Sequence, residues 1–401
     1  MAGAPVRVVG SLGVAQTLAW GSSYYLPAML AVPMAQELAI TTPTVYAAFS
    51  GALVASALVG PVAGHAIDRW GGRIVLVGTN LLFALGLAML GLAPGLWVMV
   101  AAWMVIGVAM GSGLYEAAFS SLVRLYGRDA RSAITGITLI AGFASTVGWP
   151  LSAWMEAQFG WRGACFGWAA IHLSLGLPLN AWLPRASAVA KADGSQEEDQ
   201  SAVISAEPAE QNRSRMVTVV LAFVFAATWF ISTAIATHLP RMLEATGMTL
   251  TAAVGIGALI GPAQVAARML EFGFLRNVHP LLSARLATLA HPIGAVVLLA
   301  TGPALASVFA ILHGAGNGIL TIAKGTLPLA LFGAQGYGAR QGWLMLPARI
   351  AQALAPFLFG LALNAWGANA LWLSGAISVA AFGALMLLRM SPVPSQVHQP
   401  S

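Results

Sequence analysis

Apolar stretches long enough to cross a bilayer recur along almost the whole chain of 401 residues. A membrane-spanning helix needs about 20 apolar residues. The hydropathy pattern predicts twelve such spans, with approximate bounds 9–34, 44–66, 72–93, 97–123, 132–156, 163–183, 216–238, 249–270, 281–300, 304–330, 341–363 and 368–389. Only one long polar segment interrupts the series. The pattern therefore predicts a bundle of six helices (1–183), a flexible linker (184–215), a second bundle of six (216–390) and a tail (391–401).

The composition of the chain excludes several classes of protein. Hydrophobic residues make up 58% of the chain and charged residues 8%, whereas soluble domains carry about 25% charged residues. A soluble enzyme, a disordered protein and a single-span receptor are excluded, and the expected fold class is an all-α integral membrane protein. The net charge of +6 is scattered between apolar runs, so we expect no nucleic-acid partner.

The positions of the basic residues predict the orientation, because Lys and Arg are retained on the cytoplasmic side. With both termini inside, only Arg162 and Arg241 fall on the outer ends of spans. Fourteen of the 19 basic residues then lie on cytoplasmic ends: Arg7, Arg69, Arg73, Arg124, Arg128, Arg131, Arg185, Lys191, Arg213, Arg215, Arg276, Arg285, Arg340 and Arg389. We therefore expect a multi-pass protein with both termini in the cytoplasm.

The two predicted bundles share short sequence matches in the same order. Leu26-Pro27-Ala28-Met29-Leu30 at the end of span 1 recurs as Leu239-Pro240-Arg241-Met242-Leu243 at the end of span 7, and Gly60-Pro61 in span 2 recurs as Gly261-Pro262 in span 8. These matches favour a duplicated unit of six helices. Secondary transporters built in this way place the substrate site between the halves, near the middle of the membrane.

The segment from Gly60 to Arg73, GPVAGHAIDRWGGR, resembles the signature between the second and third helices of the major facilitator superfamily. The resemblance implies that superfamily's fold, with two pseudo-symmetric bundles of six helices. It also implies a conformational latch, in which an acid caps a neighbouring helix end or pairs with a nearby arginine. The predicted latch residues are Gly60, Pro61, Gly64, Asp68, Arg69, Arg73 and Arg124.

Further motifs resemble particular branches of the superfamily. Gly136, Gly142, Gly148 and Pro150 in span 5 loosely resemble the glycine-rich motif of antiporters, although small residues there also permit close helix packing. The segments 20–25, 114–119 and 142–150 are similar to bacterial transporters that include arsenite and antimonite exporters. Residues 264–268, QVAAR, are similar to the monocarboxylate and oxalate transporter branch, in which an arginine of this helix contacts the substrate carboxylate.

Ionisable residues at membrane depth are costly, so they are candidates for function. We expect Glu116 and Lys324 to couple protons, and Arg268 and Arg349 to bind substrate. The alternative for Glu116 is a fixed ion pair with Arg349, Lys324 or Arg124. Helical spacing places His313, Asn317 and Lys324 on one stripe of span 10, and Gln264, Arg268 and Glu271 on one stripe of span 8. The remaining predicted substrate-binding residues are Tyr24, Tyr25, Tyr115, Gln16, Asn317 and Gln264.

Two kinds of buried group are expected to have no catalytic role. His172 and His291 are interpreted as satisfied helix residues, and the single cysteine, Cys165, as a small buried hydrophobe without a disulfide partner. No motif for a metal site, a cofactor or an ATP-binding phosphate loop is found, so we expect neither cofactor nor metal and no enzymatic activity.

The leading hypothesis is a secondary active transporter of the bacterial inner membrane that exports a small polar solute against proton flow by alternating access, as a monomer. Resemblance to the arsenical exporters suggests arsenite or antimonite as the solute. The alternative is a proton-linked carrier of a small monocarboxylate or dicarboxylate, which the three bases and one acid at membrane depth favour. A membrane-embedded sensor or hydrolase is a third hypothesis, for which no output domain or catalytic constellation is found.

Overall fold

The computed structural model describes residues 6–184, 208–274 and 278–389, and every regular element within these ranges is a helix. The predicted tail, and the predicted linker between residues 185 and 207, lie outside them. Twelve spans are present in the described part of the chain, and their order matches the hydropathy prediction. We call spans 1–6 the N half and spans 7–12 the C half.

The N half begins with a span in two pieces. Its bounds are Val6–Gly21 with Leu26–Glu37 (span 1), Thr42–Trp70 (span 2), Gly72–Gly91 (span 3), Leu96–Gly113 with Tyr115–Tyr126 (span 4), Ala130–Ala141 with the first part of Ala144–Ile171 (span 5), and the rest of that helix followed by Leu177–Ala181 (span 6). Spans 5 and 6 separate at Gly160, whose φ of 69° and ψ of 172° interrupt the helix.

The C half has the same number of spans. Its bounds are Pro208–Glu244 (span 7), Leu250–Gly257 with Ile260–Gly273 (span 8), Pro280–Thr301 (span 9), Ala306–Phe332 (span 10), Tyr337–Trp366 (span 11) and Ala370–Met386 (span 12). Span 7 begins inside the segment predicted as linker. Proline suits the first position of a helix because the N–H that it lacks has no helical partner there.

Seven helical stretches in the described residues are apolar and long enough to cross a membrane. Three of them, Ala130–Ala181, Pro280–Phe332 and Tyr337–Met386, each hold two consecutive spans. Spans 1 and 8 are absent from the seven because each is broken into shorter helices. The all-helical fold class is therefore confirmed, and the count of twelve agrees with it.

The packing of the N half is repeated in the C half. In the N half, span 4 packs on spans 2 and 3, span 6 on span 3 and span 5 on span 1; the corresponding C-half contacts are span 10 on spans 8 and 9, span 12 on span 9 and span 11 on span 7. Each pairing recurs six spans later, which makes the two halves pseudo-symmetric in their contacts.

The halves meet along two seams. Spans 2 and 11 form the 2–11 seam, and spans 5 and 8 form the 5–8 seam. Consecutive spans cross in opposite directions, so the ends of spans 2 and 8 and the starts of spans 5 and 11 lie on one face of the protein. We call it the Asp68 face, and the opposite face, where span 1 ends, the Glu37 face.

Candidate functional site

Four spans are interrupted within the membrane, and the interruptions surround the interface between the halves. They lie between Gly21 and Leu26 in span 1, at Leu114 in span 4, between Ala141 and Ala144 in span 5, and between Gly257 and Ile260 in span 8. Broken helices at membrane depth are tolerated where they line a buried site, because they expose backbone groups that need partners.

The break in span 1 is held by buried polar side chains. The Ser22 hydroxyl lies 2.7 Å from His172 Nε2, and His172 Nδ1 lies 2.9 Å from Asn80 Oδ1. The Ser23 hydroxyl donates to the Ala19 carbonyl. The His172 ring is thus hydrogen-bonded on both nitrogens, as expected of a satisfied buried residue, and it ties spans 3 and 6 to the segment that carries two predicted tyrosines.

The break in span 4 presents Glu116 to the interface. Gln16 Nε2 donates to the Gly113 carbonyl over 2.7 Å, at the end of the first helical piece. Leu114 is extended, and a second helix begins at Tyr115. Glu116 therefore lies in the first turn of a helix, where the helix dipole favours a negative charge. Gln16 thus stabilises the break in span 4. Among the described residues it forms no hydrogen bond with the other predicted substrate-binding side chains.

Glu116 and Arg349 form an ion pair between the halves. Arg349 Nη2 donates to Glu116 Oε2 over 2.8 Å, and Arg349 Nη1 donates to Gln352 Oε1 over 3.1 Å. Gln352 Nε2 in turn donates to the Tyr24 hydroxyl over 3.1 Å. Sequence reasoning missed Gln352, although its position three residues after Arg349 places the two side chains on neighbouring parts of one helical surface.

Aromatic rings surround this network, and one of them was missed by sequence reasoning. Trp20 and Trp229 are nearly parallel, at 8°, with ring centroids 6.5 Å apart. Lys324 Nζ lies 3.9 Å from the Trp229 centroid, and the Arg349 guanidinium carbon lies 5.1 Å from it. Span 7 is the counterpart of span 1 in the repeat, but the matched segments place Trp229 ten residues before Leu239 and Trp20 six residues before Leu26. The repeat alone therefore does not pair the two rings.

The predicted tyrosines gather around Trp20. The ring centroids of Tyr24, Tyr25 and Tyr115 lie 5.3, 6.4 and 5.0 Å from that of Trp20. Such ring separations are typical of favourable aromatic pairs. The three tyrosines are thus part of one aromatic cluster beside the ion pair.

Arg268 lies in the 5–8 seam. It is 5% exposed, and its Nη1 donates to the Thr138 carbonyl of span 5 over 3.0 Å. Its Nε has no hydrogen-bond partner among the residues that the structure describes. Tyr115 is close enough to interact with the same guanidinium. Arg268 therefore reaches across to the N half from a position separate from the Glu116–Arg349 pair.

The site carries more positive than negative charge. Glu116 interacts with Arg349, whereas Lys324 forms no ion pair with any residue in the described ranges, and neither does Arg268. A void of about 10 Å³ beside Glu116 and Arg349 has room for about one water molecule. The described residues also contain no cluster of three or more side chains suited to a metal ion. The site is closed around two cations that lack a carboxylate partner.

Some predicted residues do not meet the site as expected. His313, Asn317 and Lys324 share one stripe of span 10 by helical spacing, but they have different neighbours. His313 Nδ1 lies 3.0 Å from His291 Nδ1 of span 9, and His291 Nε2 lies 3.0 Å from the Ser374 hydroxyl. The physical reason is that span 10 is enclosed by other helices, so polar residues separated by several turns find different neighbours. Asn317 and Gln264 are half-buried, and within the described ranges neither side chain is hydrogen-bonded to another predicted site residue.

The predicted latch forms contacts at the 2–11 seam. Asp68 Oδ1 and Oδ2 accept from the backbone N–H groups of Gly338 and Ala339, over 2.9 and 2.8 Å, and so cap the start of span 11. Arg124 donates to the backbone carbonyl of Asp68 and forms no ion pair with its carboxylate. A Cβ added at Gly64 would lie 1.9 Å from the Gly338 carbonyl oxygen, so only glycine permits this approach.

The outer basic residues of the motif take no part in that cap. Arg69 is exposed and stacks at 5.8 Å over the Trp70 ring. Arg73 lines a small cavity together with Arg124, within the N half. Pro61 lies against Gly342, where an added Cβ would come within 2.4 Å of the Pro61 Cα. The motif therefore contributes close backbone contact and a cap to the seam.

A second ion pair joins the halves at the Asp68 face. Arg131 Nη2 lies 3.1 Å from Glu271 Oε1, and Arg131 Nη1 donates to the Val278 carbonyl over 2.8 Å. Sequence reasoning placed Glu271 on the same stripe as Arg268 but assigned it no partner. Just beyond Val278, the His279 Nδ1 accepts from the Leu281 N–H and caps span 9. Burial and, secondarily, the charges of Arg131 and Arg285 lower the pKa of His279.

Two repeated halves of six spans, with a charged site between them at mid-depth, are the architecture of secondary transporters. The chain belongs to the Major Facilitator Superfamily, whose family profile matches residues 12–305. The superfamily and the related solved structures are transporters and not enzymes. The protein is thus a multi-pass membrane transporter of a small molecule.

Two sequence relatives carry the names of a transporter and of a drug-resistance protein. The chain is 26% identical to the gentisate transporter of Corynebacterium glutamicum over 390 residues, covering 91% of this chain and 84% of that protein. It is 32% identical over 114 residues to a multidrug resistance protein B homolog of Mycobacterium tuberculosis, covering 28% of this chain and 21% of the relative.

Two solved structures share the fold over nearly all of the chain. The proton:xylose symporter XylE is 13% identical with a TM-score of 0.74, and the match covers 96% of this chain and 95% of that one. The human organic anion transporter TETRAN is 16% identical with a TM-score of 0.70, covering 95% of this chain and all of the other. At these identities the likeness establishes the fold.

Proposed function

We propose that the protein is a proton-coupled secondary transporter of a small organic anion, and that an aromatic carboxylate is its substrate class. The observation that carries the proposal is the pair of buried cations, Lys324 and Arg268, that lack a carboxylate partner beside the Trp20–Trp229 cluster. A carboxylate would supply the missing charge, and a flat ring would pack on the indole faces. The gentisate transporter among the relatives supports this choice, because gentisate is an aromatic carboxylate.

The anion carrier was the second of the two hypotheses drawn from the sequence, and the site favours it over arsenite or antimonite export. Trivalent arsenic prefers soft thiolate ligands. The single cysteine, Cys165, is fully buried in span 6 among apolar residues and is not among the side chains of the site. The transport assay below distinguishes arsenite transport from anion transport.

We propose that Glu116 carries the coupled proton. In the closed arrangement Arg349 holds its carboxylate, and this ion pair links spans 4 and 11. Protonation of Glu116 would cancel its charge and remove the link between the halves. A substrate carboxylate bound at Arg268 and Lys324 would then restore the negative charge that Glu116 loses, so that proton and anion are bound together. Lys324, which interacts with Glu116 and Arg349, would adjust the charge balance of the same step.

We propose an arrangement in which the bundles predicted as 1–183 and 216–390 are the moving units. The C half begins at Pro208, so the segment that joins them is shorter than the predicted linker 184–215. The distribution of basic residues supports a cytoplasmic Asp68 face with both termini inside a bacterial inner membrane. The contacts at that face then correspond to a state closed towards the cytoplasm. We further propose that one chain suffices, because the site is formed by the two halves of a single molecule.

Uptake into proteoliposomes tests the function directly. We expect an imposed proton gradient, acid outside, to drive accumulation of radiolabelled gentisate or benzoate, and a protonophore to abolish it. Glu116→Gln should retain anion exchange between the two sides but lose gradient-driven accumulation, while Gly375→Ala, whose added Cβ meets open space, serves as the matched control. Accumulation of arsenite but of neither carboxylate would refute the anion proposal. Accumulation that a protonophore does not change would refute proton coupling.

A further inference from the structure

The three cations of the site differ in how well their charges are compensated. Arg349 has a carboxylate and an amide oxygen as partners, and Lys324 lies on the face of Trp229. Arg268 donates one hydrogen bond to the neutral Thr138 carbonyl and lies beside the Tyr115 hydroxyl, and its buried Nε has no partner among the described residues. A buried guanidinium in this condition gains most from a carboxylate, which can accept two parallel N–H bonds.

The carbonyl that Arg268 contacts does not depend on it. The Thr138 oxygen also accepts from the backbone N–H of Gly142 over 2.9 Å, which is an ordinary helical bond. If Arg268 leaves, the Thr138 carbonyl remains paired and is not orphaned. The contact is therefore inexpensive to break, even though it connects span 8 of the C half with span 5 of the N half.

Gly142 provides the space in which the guanidinium lies. A Cβ added at this position would be 2.7 Å from Arg268 Nη1. Any side chain there would displace the guanidinium from the Thr138 carbonyl. The glycine that resembles part of an antiporter motif thus has a specific physical role in this chain, which is to admit an arginine from the opposite half.

We propose that Arg268 is a substrate-responsive contact between the halves, and that Gly142 is the residue that makes the contact possible. Without substrate, Arg268 bonds to Thr138 and holds the 5–8 seam closed. The carboxylate of the transported anion takes the guanidinium, and the seam loosens towards the Asp68 face. This inference rests on the proposed anion function, and it adds the means by which binding changes the conformation.

The scheme meets the thermodynamic requirement for a ligand-driven change. A ligand shifts a conformational equilibrium only by its difference in affinity for the two states. In the closed state the anion competes with the Thr138 carbonyl for Arg268, and in the loosened state it does not. Glu271 lies one helical turn beyond Arg268, and its ion pair with Arg131 is the polar contact that remains in the seam.

The test measures anion binding and seam opening separately in the full-length protein. In a Cys165→Ala background, spin labels at Asp129→Cys and Phe274→Cys report the distance across the 5–8 seam. Asp129 is exposed, and Phe274 is 78% exposed. Calorimetry with benzoate gives the affinity in parallel. We expect benzoate to lengthen the distance between the two labels when Gly142 and Arg268 are both present.

Two substitutions that both break the Arg268–Thr138 contact should differ in their effect on the affinity for benzoate. Arg268→Gln should open the seam without benzoate and weaken benzoate binding by about 30-fold or more, since it removes the charge that the anion needs. Gly142→Ala should also open the seam without benzoate, yet keep or raise the affinity, because a free guanidinium need not first leave Thr138. Gly261→Ala on span 8 is the control, as its added Cβ meets open space.

Each alternative result has a definite meaning. If Gly142→Ala leaves the seam closed, as Gly261→Ala should, or if it weakens benzoate binding as much as Arg268→Gln does, the contact is only structural and the inference is wrong. If the unmutated site binds benzoate with no change in label distance, the inference fails but the proposed function stands. If it binds neither benzoate nor gentisate, the proposed function itself fails, and the inference with it.

Discussion

The two seams hold the same halves together at the same face by different physical means. At the 2–11 seam, glycines bring the backbones of spans 2 and 11 into direct contact, and Asp68 caps the start of span 11. At the 5–8 seam, the long side chains of Arg131, Glu271 and Arg268 bridge the gap. Backbone contact tolerates little displacement, whereas long charged side chains can change partners. The comparison indicates that the 2–11 seam fixes the closed state and that the 5–8 seam responds to charge.

The largest expected effect comes from adding one methyl group to the 2–11 seam. In Gly64→Ala the new Cβ would lie 1.9 Å from the Gly338 carbonyl oxygen, and backbone cannot move aside as a flexible side chain can. We expect the closed state to lose about 1–3 kcal/mol, the usual cost of overpacking. Electron-spin distances across the Asp68 face, and anion uptake, would report this loss.

The control for that change lies one helical turn away. Gly60→Ala would place its Cβ 3.9 Å from the Gly342 carbonyl oxygen, an ordinary contact. It should leave both the label distances and transport close to those of the unmutated protein. Equal effects of the two alanines would show that the seam does not depend on close backbone contact.

A smaller effect is expected when the cap alone is removed. Asp68→Asn keeps the size of the side chain but replaces one of the two acceptor oxygens that bond Gly338 and Ala339 with an N–H₂ donor. Loss of a helix cap costs about 1 kcal/mol. We therefore expect a partial opening of the Asp68 face, about fivefold in the equilibrium, with the fold intact. Circular dichroism checks the fold, and a label distance unchanged from that of the parent protein would contradict the assigned role.

The 5–8 seam should respond to salt where the 2–11 seam does not. The Arg131 side chain is 24% exposed and that of Glu271 4%, so the pair is partly open to screening by ions. Glu271→Gln should cost the closed state about 0.5–1.5 kcal/mol, the usual worth of one hydrogen bond. The difference from the parent protein should shrink as salt is raised. The difference between Asp68→Asn and the parent protein should stay nearly constant as salt is raised. A similar salt response in the Glu271 and Asp68 variants would remove the distinction between the seams.

Much of the fold could be predicted because hydrophobicity alone decides it. The spans follow from the bilayer thickness, and the predicted bounds fall within a few residues of most helix ends. Span 7 is the exception: Pro208 starts a helix that extends through polar residues outside the apolar stretch, and a hydropathy window cannot register such an extension.

The charged members of the site were predictable for a related reason, and their partners were not. Charged residues are conspicuous in apolar spans because burying a charge is costly. This singles out Glu116, Arg268, Lys324 and Arg349. Trp229 resembles any other apolar residue until the packing of span 7 against span 1 is known. Which base neutralises Glu116 also depends on how two halves distant in the sequence meet, and helical spacing within one span carries no such information.

The smallest expected effect lies next to the 5–8 seam, where His279 adds a dependence on pH. Its neutral Nδ1 accepts the Leu281 N–H, and its pKa is lowered from 6.5 by burial and by the nearby arginines. The cap is therefore complete above pH 6.5 and is lost as the pH falls from 6.5 through the lowered value. We expect acidification in this range to reduce thermal stability by less than about 1 kcal/mol. His279→Asn, which keeps a capping oxygen that does not titrate, should lose this pH dependence. If the melting temperatures of parent and variant fall in parallel with pH, the acid sensitivity arises elsewhere, and the charge response of the seam reduces to Arg131 and Glu271.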